Sequence, residues 1–191
     1  MNKEIREKYA WHFKDHKATK VLDQEDFLIL DWRKANGSSE YFVRYIVDIK
    51  RGSLIIQGDL GDCIATWYNR VTPEDMCRYI NDVGYFMSKF RCSSDSYDYD
   101  REDVLKDFQS RIDELYSDVD EELIENAKDA IDEYWDERYG YLDSTIIDAF
   151  QEIDQDWWDG GLTNLGQRTS GRVYLWVIGF QMACEQLGIG E

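Results

Sequence analysis

Glu40-Tyr41-Phe42-Val43-Arg44-Tyr45-Ile46-Val47-Asp48-Ile49 is the stretch on which the fold turns. Tyr41, Val43, Tyr45, Val47 and Ile49 fall at every second position. Successive side chains of an extended chain point to opposite faces, so these five share one face of a strand. The same period continues on both sides. Residues 27–32 form a strand ahead of the turn Ala35-Asn36-Gly37-Ser38, and Lys50-Arg51-Gly52 turns the chain into a third strand at 54–57. Gly58-Asp59-Leu60-Gly61 then leads to a fourth at 63–68. Four sequential strands with short links predict a four-stranded antiparallel meander.

Around the meander the period changes to that of helices. Residues 2–17 read as an N-terminal helix with Ile5, Tyr9 and Phe13 on one row. Thr72-Pro73-Glu74-Asp75 is a helix start, with Thr72 as N-cap and Pro73 in the first turn. Met76, Ile80, Val83, Met87 and Phe90 continue it as a helix packed on the sheet. Residues 100–116 carry Val104, Leu105, Phe108, Ile112 and Leu115 on one face, and residues 142–158 carry Ile146, Ala149, Phe150 and Ile153. A last helix at 172–187 has almost no polar side, so it is expected to be buried between the sheet and the acidic helices. The fold class is therefore α+β: the meander with its N-terminal and packed helices, plus an acidic helical layer or bundle.

Residues 117–140 read as one long helix with two unlike sides. Val119, Leu123, Ala127, Ile131 and Trp135 make an apolar stripe. Glu121, Glu125, Asp129, Glu133 and Glu137 recur every fourth residue on the other side, about 6 Å apart along the axis. Like charges at this spacing each oppose the helix by roughly 0.2–0.5 kcal/mol, so folding alone does not select the row. The charge is also unevenly distributed. Residues 1–94 hold 14 acids and 15 Lys or Arg, residues 95–159 hold 24 and five, and residues 160–191 hold two of each. Nearly all of the net charge of −18 belongs to the middle third. This divides the chain into an α+β part at 1–94, an acidic helical part at 95–159, and a Gly-rich loop with a buried helix at 160–191 that joins the two.

Seven Trp, thirteen Tyr and eight Phe supply a core, and the periodicities exclude a disordered acidic chain. No signal sequence and no apolar run of spanning length is visible, which implies a cytoplasmic protein with no membrane partner. Cys63, Cys77, Cys92 and Cys184 form no C-x-x-C pair and read as reduced and mostly buried, with a bridge between distant pairs left open. His12 and His16, one helical turn apart, offer two ligands to a metal such as zinc; two do not make a site, and a half-buried structural role is the favoured reading. Asp95, Asp98 and Asp100 invite a calcium loop, but counting from Asp98 puts Asp103 where Gly belongs and Gln109 where Glu belongs. The glycines at 160, 161 and 166 match no phosphate loop, and Arg168 and Arg172 are expected to pair with nearby acids rather than with an anion. No nucleophile elbow, zinc-protease or kinase motif is present, so the chain is read as not an enzyme and without a cofactor.

The runs Phe27-Leu28-Ile29-Leu30-Asp31-Trp32, Gly37-Ser38-Ser39, Tyr45-Ile46-Val47-Asp48, Gly58-Asp59-Leu60-Gly61 and Ile64-Ala65-Thr66-Trp67-Tyr68 resemble small uncharacterised proteins of phages and mobile elements of Gram-positive bacteria. Some small acidic proteins of that source, which this chain resembles in charge, are anti-CRISPR inhibitors. The likeness spans residues 27–95, omits the acidic helix and assigns no residue a role; it implies a host-defence target. Together with the charge pattern it leads to an expectation: an inhibitor that imitates a nucleic-acid backbone and fills the basic cleft of a host nucleic-acid-binding protein, without binding nucleic acid itself. The residues expected to carry binding are Glu121, Glu125, Asp129, Glu133 and Glu137, with Glu122, Asp132 and Asp136 at the edge. Tyr97, Tyr99, Trp157 and Trp158 are candidate apolar anchors. The competing expectation is a phage structural or adaptor protein that assembles with itself.

Overall fold

The computed structural model describes residues 1–136, 143–160 and 162–189. The chain is α+β and forms two compact units, Met1–Ser96 with Ser170–Glu191, and Tyr97–Thr169. It begins with α1 (Lys3–Ala10), where the Asn2 side chain accepts a hydrogen bond from the Glu4 N–H. The helix expected through residue 17 stops there. A 3-10 turn at Trp11–Phe13 buries Phe13, and His16 opens strand β1 (His16–Gln24), whose backbone pairs with β2 (Phe27–Lys34) instead of extending the helix. His12 and His16 therefore sit on a turn and a strand, not one turn apart on a helix face.

The meander continues through β3 (Val43–Asp48), β4 (Ser53–Gly58) and β5 (Cys63–Thr66). Two short helices follow, α2 (Pro73–Tyr79) and α3 (Val83–Met87), where one was expected. The break is a capping event: Asp82 is extended and its side chain accepts from the Tyr85 N–H at 2.9 Å, starting a new helix. Strand β6 (Phe90–Ser93) then completes a six-stranded antiparallel sheet in the order β1-β2-β3-β4-β5-β6. The four strands read from the alternation are its centre, and β1 and β6 are its edges. Beyond β6 come β7 (Tyr97–Tyr99), α4 (Arg101–Leu115), α5 (Glu121–Tyr134), α6 (Ser144–Ile153), α7 (Trp157–Gly160) and β8 (Gln167–Thr169). Helix α8 (Gly171–Gln186) belongs again to the first unit.

One face of the sheet is the core of that unit. Leu28, Leu30, Trp32, Val43, Tyr45, Val47, Leu54 and Ile56 are buried in the same cluster as Trp176, Val177 and Phe180 of α8. Each such side chain contributes roughly 1.5–3 kcal/mol on burial. The Tyr45 hydroxyl donates to the Trp176 carbonyl at 3.0 Å, which satisfies the one polar atom of that ring in the core. Helix α8 also caps the sheet edge. The Gln186 amide accepts from the Ala18 N–H at 3.1 Å and donates to the His16 carbonyl at 3.0 Å, as a neighbouring strand would.

The other face carries an aliphatic ladder. Leu22 lies opposite Ile29, Ile29 opposite Ile46, Ile46 opposite Ile55, Ile55 opposite Ile64, and Ile64 opposite Cys92, so one row crosses all six strands. None of these six belongs to either buried core cluster.

Buried His16 gives the first unit a pH dependence. Its ring is 3% exposed, against Phe13 and Trp32, with Nε2 3.2 Å from the Tyr41 carbonyl and Nδ1 without a partner. Burial holds its pKa below the ordinary histidine value, helped by the nearby Lys34 charge and opposed by the Tyr41 carbonyl. The unfolded chain then binds a proton that the folded chain resists, so this contribution to stability is complete above the ordinary histidine pKa of about 6.5 and is lost as pH falls through and below it. Melting temperature is expected to drop from about pH 7.5 to about pH 5, a range that brackets the ordinary histidine value, and the His16→Gln variant should lose most of that slope. An unchanged slope in the variant would assign the pH dependence to other groups.

Candidate partner-binding face

The second unit is an insertion whose two ends meet. Tyr97 pairs with Thr169, Asp98 with Arg168 and Tyr99 with Gln167, joining β7 and β8 antiparallel. Between them the helices share their own core, with Phe108 and Phe150 stacked at 5.4 Å and Ile112, Ala127, Ile131, Ile146, Trp157, Leu162 and Leu165 buried around them. Residues 97–169 contain 23 acids and six Lys or Arg, while the rest of the chain contains 17 and 16.

Many of these acids have structural work that explains their presence. Asp100, Asp120 and Asp143 are N-caps, accepting from the N–H groups of Glu102 and Asp103, of Glu122, and of Thr145. Asp107 binds Arg168 through two bonds of 2.8 and 2.9 Å and accepts from the Gly166 N–H at 2.9 Å, and Asp103 lies 3.2 Å from the same guanidinium. The Arg168 hydrogen bonds hold the Asp107 carboxyl below the usual carboxylate range. Arg168 is thus engaged with acids, and Arg172 donates to the Asp95 carbonyl at 3.4 Å. Asp154 accepts from the Tyr116 hydroxyl at 2.8 Å.

The acids of α5 divide differently. This helix spans residues 121–134, shorter at both ends than the 117–140 expected, because Asp120 caps it and Trp135 is extended. Glu121, Glu122, Glu125, Asp129, Asp132 and Glu133 are all exposed. Glu121 and Glu122 lie in the first turn, where the helix dipole favours negative charge, so local folding accounts for them. Asp132 and Glu133 lie in the last turn, where it opposes them and which itself contains no basic residue. Two cations reduce the field of the row: Lys128 sits 2.8 Å from Glu125, and Arg101 sits 3.4 Å from the Asp132 carboxylate and donates to its carbonyl at 3.0 Å. Asp129 forms no ion pair among the described residues. Glu133 lies beside Tyr134 and its charge holds that phenol above its ordinary pKa. Asp136 is half-buried and engaged with a neighbour, and Glu137 lies outside the described residues. The face that remains is Glu121, Glu125, Asp129 and Glu133 on one row, with Glu122 and Asp132 beside it.

Of the aromatic candidates, Trp158 is 71% exposed and Tyr97 42%. Trp157 is a core residue packed edge-on against Phe150 at 5.6 Å, and the Tyr99 hydroxyl accepts from Gln167, so neither is a free anchor. Among the described residues no three His, Cys, Asp or Glu side chains are grouped to hold a metal ion, and no helix is long and apolar enough to cross a membrane. No family model, curated protein or solved structure matches the chain.

Proposed function

We propose that this protein is an acidic inhibitor that occupies the basic nucleic-acid site of a host protein, of which a CRISPR-type nuclease is the class favoured by the resemblance to phage proteins. One observation carries the reading: a unit of 73 residues holds 23 acids against six bases, while the remainder of the chain is close to neutral. A bias toward solubility would charge both units. Carboxylates about 6 Å apart along a helix can meet Lys and Arg arrays built for a phosphate backbone, and a cationic cleft would relieve both the i,i+4 repulsion and the unfavourable charge in the last turn of α5.

The test is capture from bacterial lysate with the tagged protein, repeated with excess DNA or RNA and across a salt series. Retention of one nucleic-acid-binding protein that nucleic acid displaces and salt weakens is the expected result. A second reading, a structural or adaptor protein that assembles with itself, is favoured by the aliphatic ladder across the sheet. A regular homo-oligomer by light scattering, with nothing specific retained from lysate, would replace the first reading with the second.

A further inference from the structure

Two cysteines of the first unit, Cys77 on α2 and Cys184 on α8, share one cleft. Its volume is about 440 Å³, with Arg6, Glu74, Arg78 and Gln181 among its other walls. The two helices are fixed to each other at this point. The Gln181 side chain, less than a turn before Cys184, donates to the Cys77 carbonyl at 3.3 Å and approaches the Asn81 side chain at 3.4 Å. Arg6 of α1, which would otherwise attract an anion to the cleft, is held by both Glu185 oxygens at 2.8 Å, and Arg78 is paired with Asp75. An anion site is therefore absent from the chemistry of the walls, and the unassigned functional groups are the thiols.

The thiols differ in a way that sets roles. Cys184 is 1% exposed, while Cys77 is only half-buried at the cleft and is the one a small oxidant reaches first. The influence of the neighbouring thiol holds the Cys77 pKa below its ordinary value and pushes that of Cys184 up, and burial raises Cys184 further. The other two cysteines are placed apart. On paired strands β5 and β6, Cys63 lies in the core and Cys92, opposite Ile64 and one position away from the Cys63 partner Ser93, is exposed.

We propose that Cys77 and Cys184 form a dithiol modification site that a hydroperoxide converts into a disulfide joining α2 to α8. The Cys77 thiolate attacks the terminal peroxide oxygen, the O–O bond breaks, and hydroxide leaves as water with one proton; Cys77 becomes a sulfenic acid. The Cys184 sulfur then attacks the Cys77 sulfur, the S–O bond breaks, and the departing hydroxide takes the Cys184 proton and leaves as a second water. In sum two thiols and one hydrogen peroxide give one disulfide and two waters. The loop so closed contains every residue of the acidic unit, since 97–169 lies between 77 and 184. Closing a loop of this length restricts the unfolded chain far more than the folded one, so oxidation stabilises the fold.

The experiment uses the folded full chain and hydrogen peroxide. After oxidation, free thiols are blocked, the protein is digested without reduction and the peptides are mapped. A peptide pair linked through Cys77 and Cys184, lighter by two hydrogens and separated by reductant, is expected, together with a higher melting temperature. Recovery of both residues as blocked thiols while Cys92 is oxidised would overturn the proposal. The order of attack is read from two variants trapped with dimedone: Cys184→Ala should accumulate sulfenic acid at Cys77, whereas Cys77→Ala should leave Cys184 unlabelled. The reverse pattern would overturn the assignment of the nucleophile. The wild-type map stands on its own if either variant fails to fold.

Discussion

Replacing Glu125, Asp129 and Glu133 together with Lys is expected to abolish retention of the partner while leaving helix content and melting temperature close to those of the unaltered protein. The three are exposed on one row of α5 and none contributes to the buried core. Locally the changes nearly cancel. Loss of the Glu125–Lys128 pair costs up to about 1 kcal/mol, as expected for an exposed ion pair. A cation at 133, in a last turn that has none, gains about 0.3–1 kcal/mol from the helix dipole. At a cationic cleft the changes add instead, since three attractive contacts become three repulsive ones. Like-charge juxtaposition across an interface costs several kcal/mol, and about 4 kcal/mol is roughly a thousandfold in affinity. Circular dichroism with the same lysate capture reads both halves of the result. A triple variant that folds and is retained as well as wild type would sink the mimicry reading.

Gly179→Ala is expected to destabilise the first unit by about 2 kcal/mol, although alanine is the better helix former by about 1 kcal/mol. Gly179 lies inside α8 and is buried. A Cβ there would stand 2.5 Å from the Tyr45 hydroxyl oxygen and 3.3 Å from ring carbons of Phe13 and Trp32. The Tyr45 hydroxyl cannot simply swing aside, because it is buried and bonded to the Trp176 carbonyl of the same helix. Relieving the clash therefore displaces α8 from the sheet or breaks that bond, and overpacking of this kind costs about 1–3 kcal/mol in addition to the bond's roughly 1 kcal/mol. Thermal or urea unfolding measures the sum. A variant as stable as wild type would mean that α8 can retreat from β3 without loss. The double variant with Tyr45→Phe, which removes the clashing oxygen, should recover part of the difference.

Sequence period revealed the elements whose burial is one-sided and long. β2 to β5 and α4 follow that rule, α8 is legible instead from an apolar run with almost no polar side, and Thr72-Pro73 marks the start of α2. The missed elements obey other rules. β1 is an edge strand, and its Lys17, Lys20 and Asp23 obscure the alternation while protecting the edge. β6 begins at Phe90, which also fits the apolar spacing of the preceding helix. The β7–β8 pair is three residues on each side, formed across the whole acidic unit, so no local signal announces it. The acidic row was legible because it depends only on spacing. Which of its members are neutralised was not, since Arg101 reaches Asp132 from 31 residues away and Asp107 meets Arg168 from 61 residues away. Trp157 and Trp158 are adjacent and alike in composition, and only packing separates the core ring from the exposed one.

The pairing of Tyr97 with Thr169 has a consequence for how such a protein can change over generations. An insertion that leaves and rejoins its host fold through neighbouring strands needs no rearrangement of the host when its contents are altered: the gap it must close is the width of one strand pair, about 5 Å. The acidic helices can then diverge, lengthen or be exchanged as a cassette while the sheet and α8 keep selecting for their own packing. Variation among descendants of this gene should accordingly concentrate between residues 97 and 169, with the surface charge of that segment tracking whatever it meets and the core of the sheet holding still.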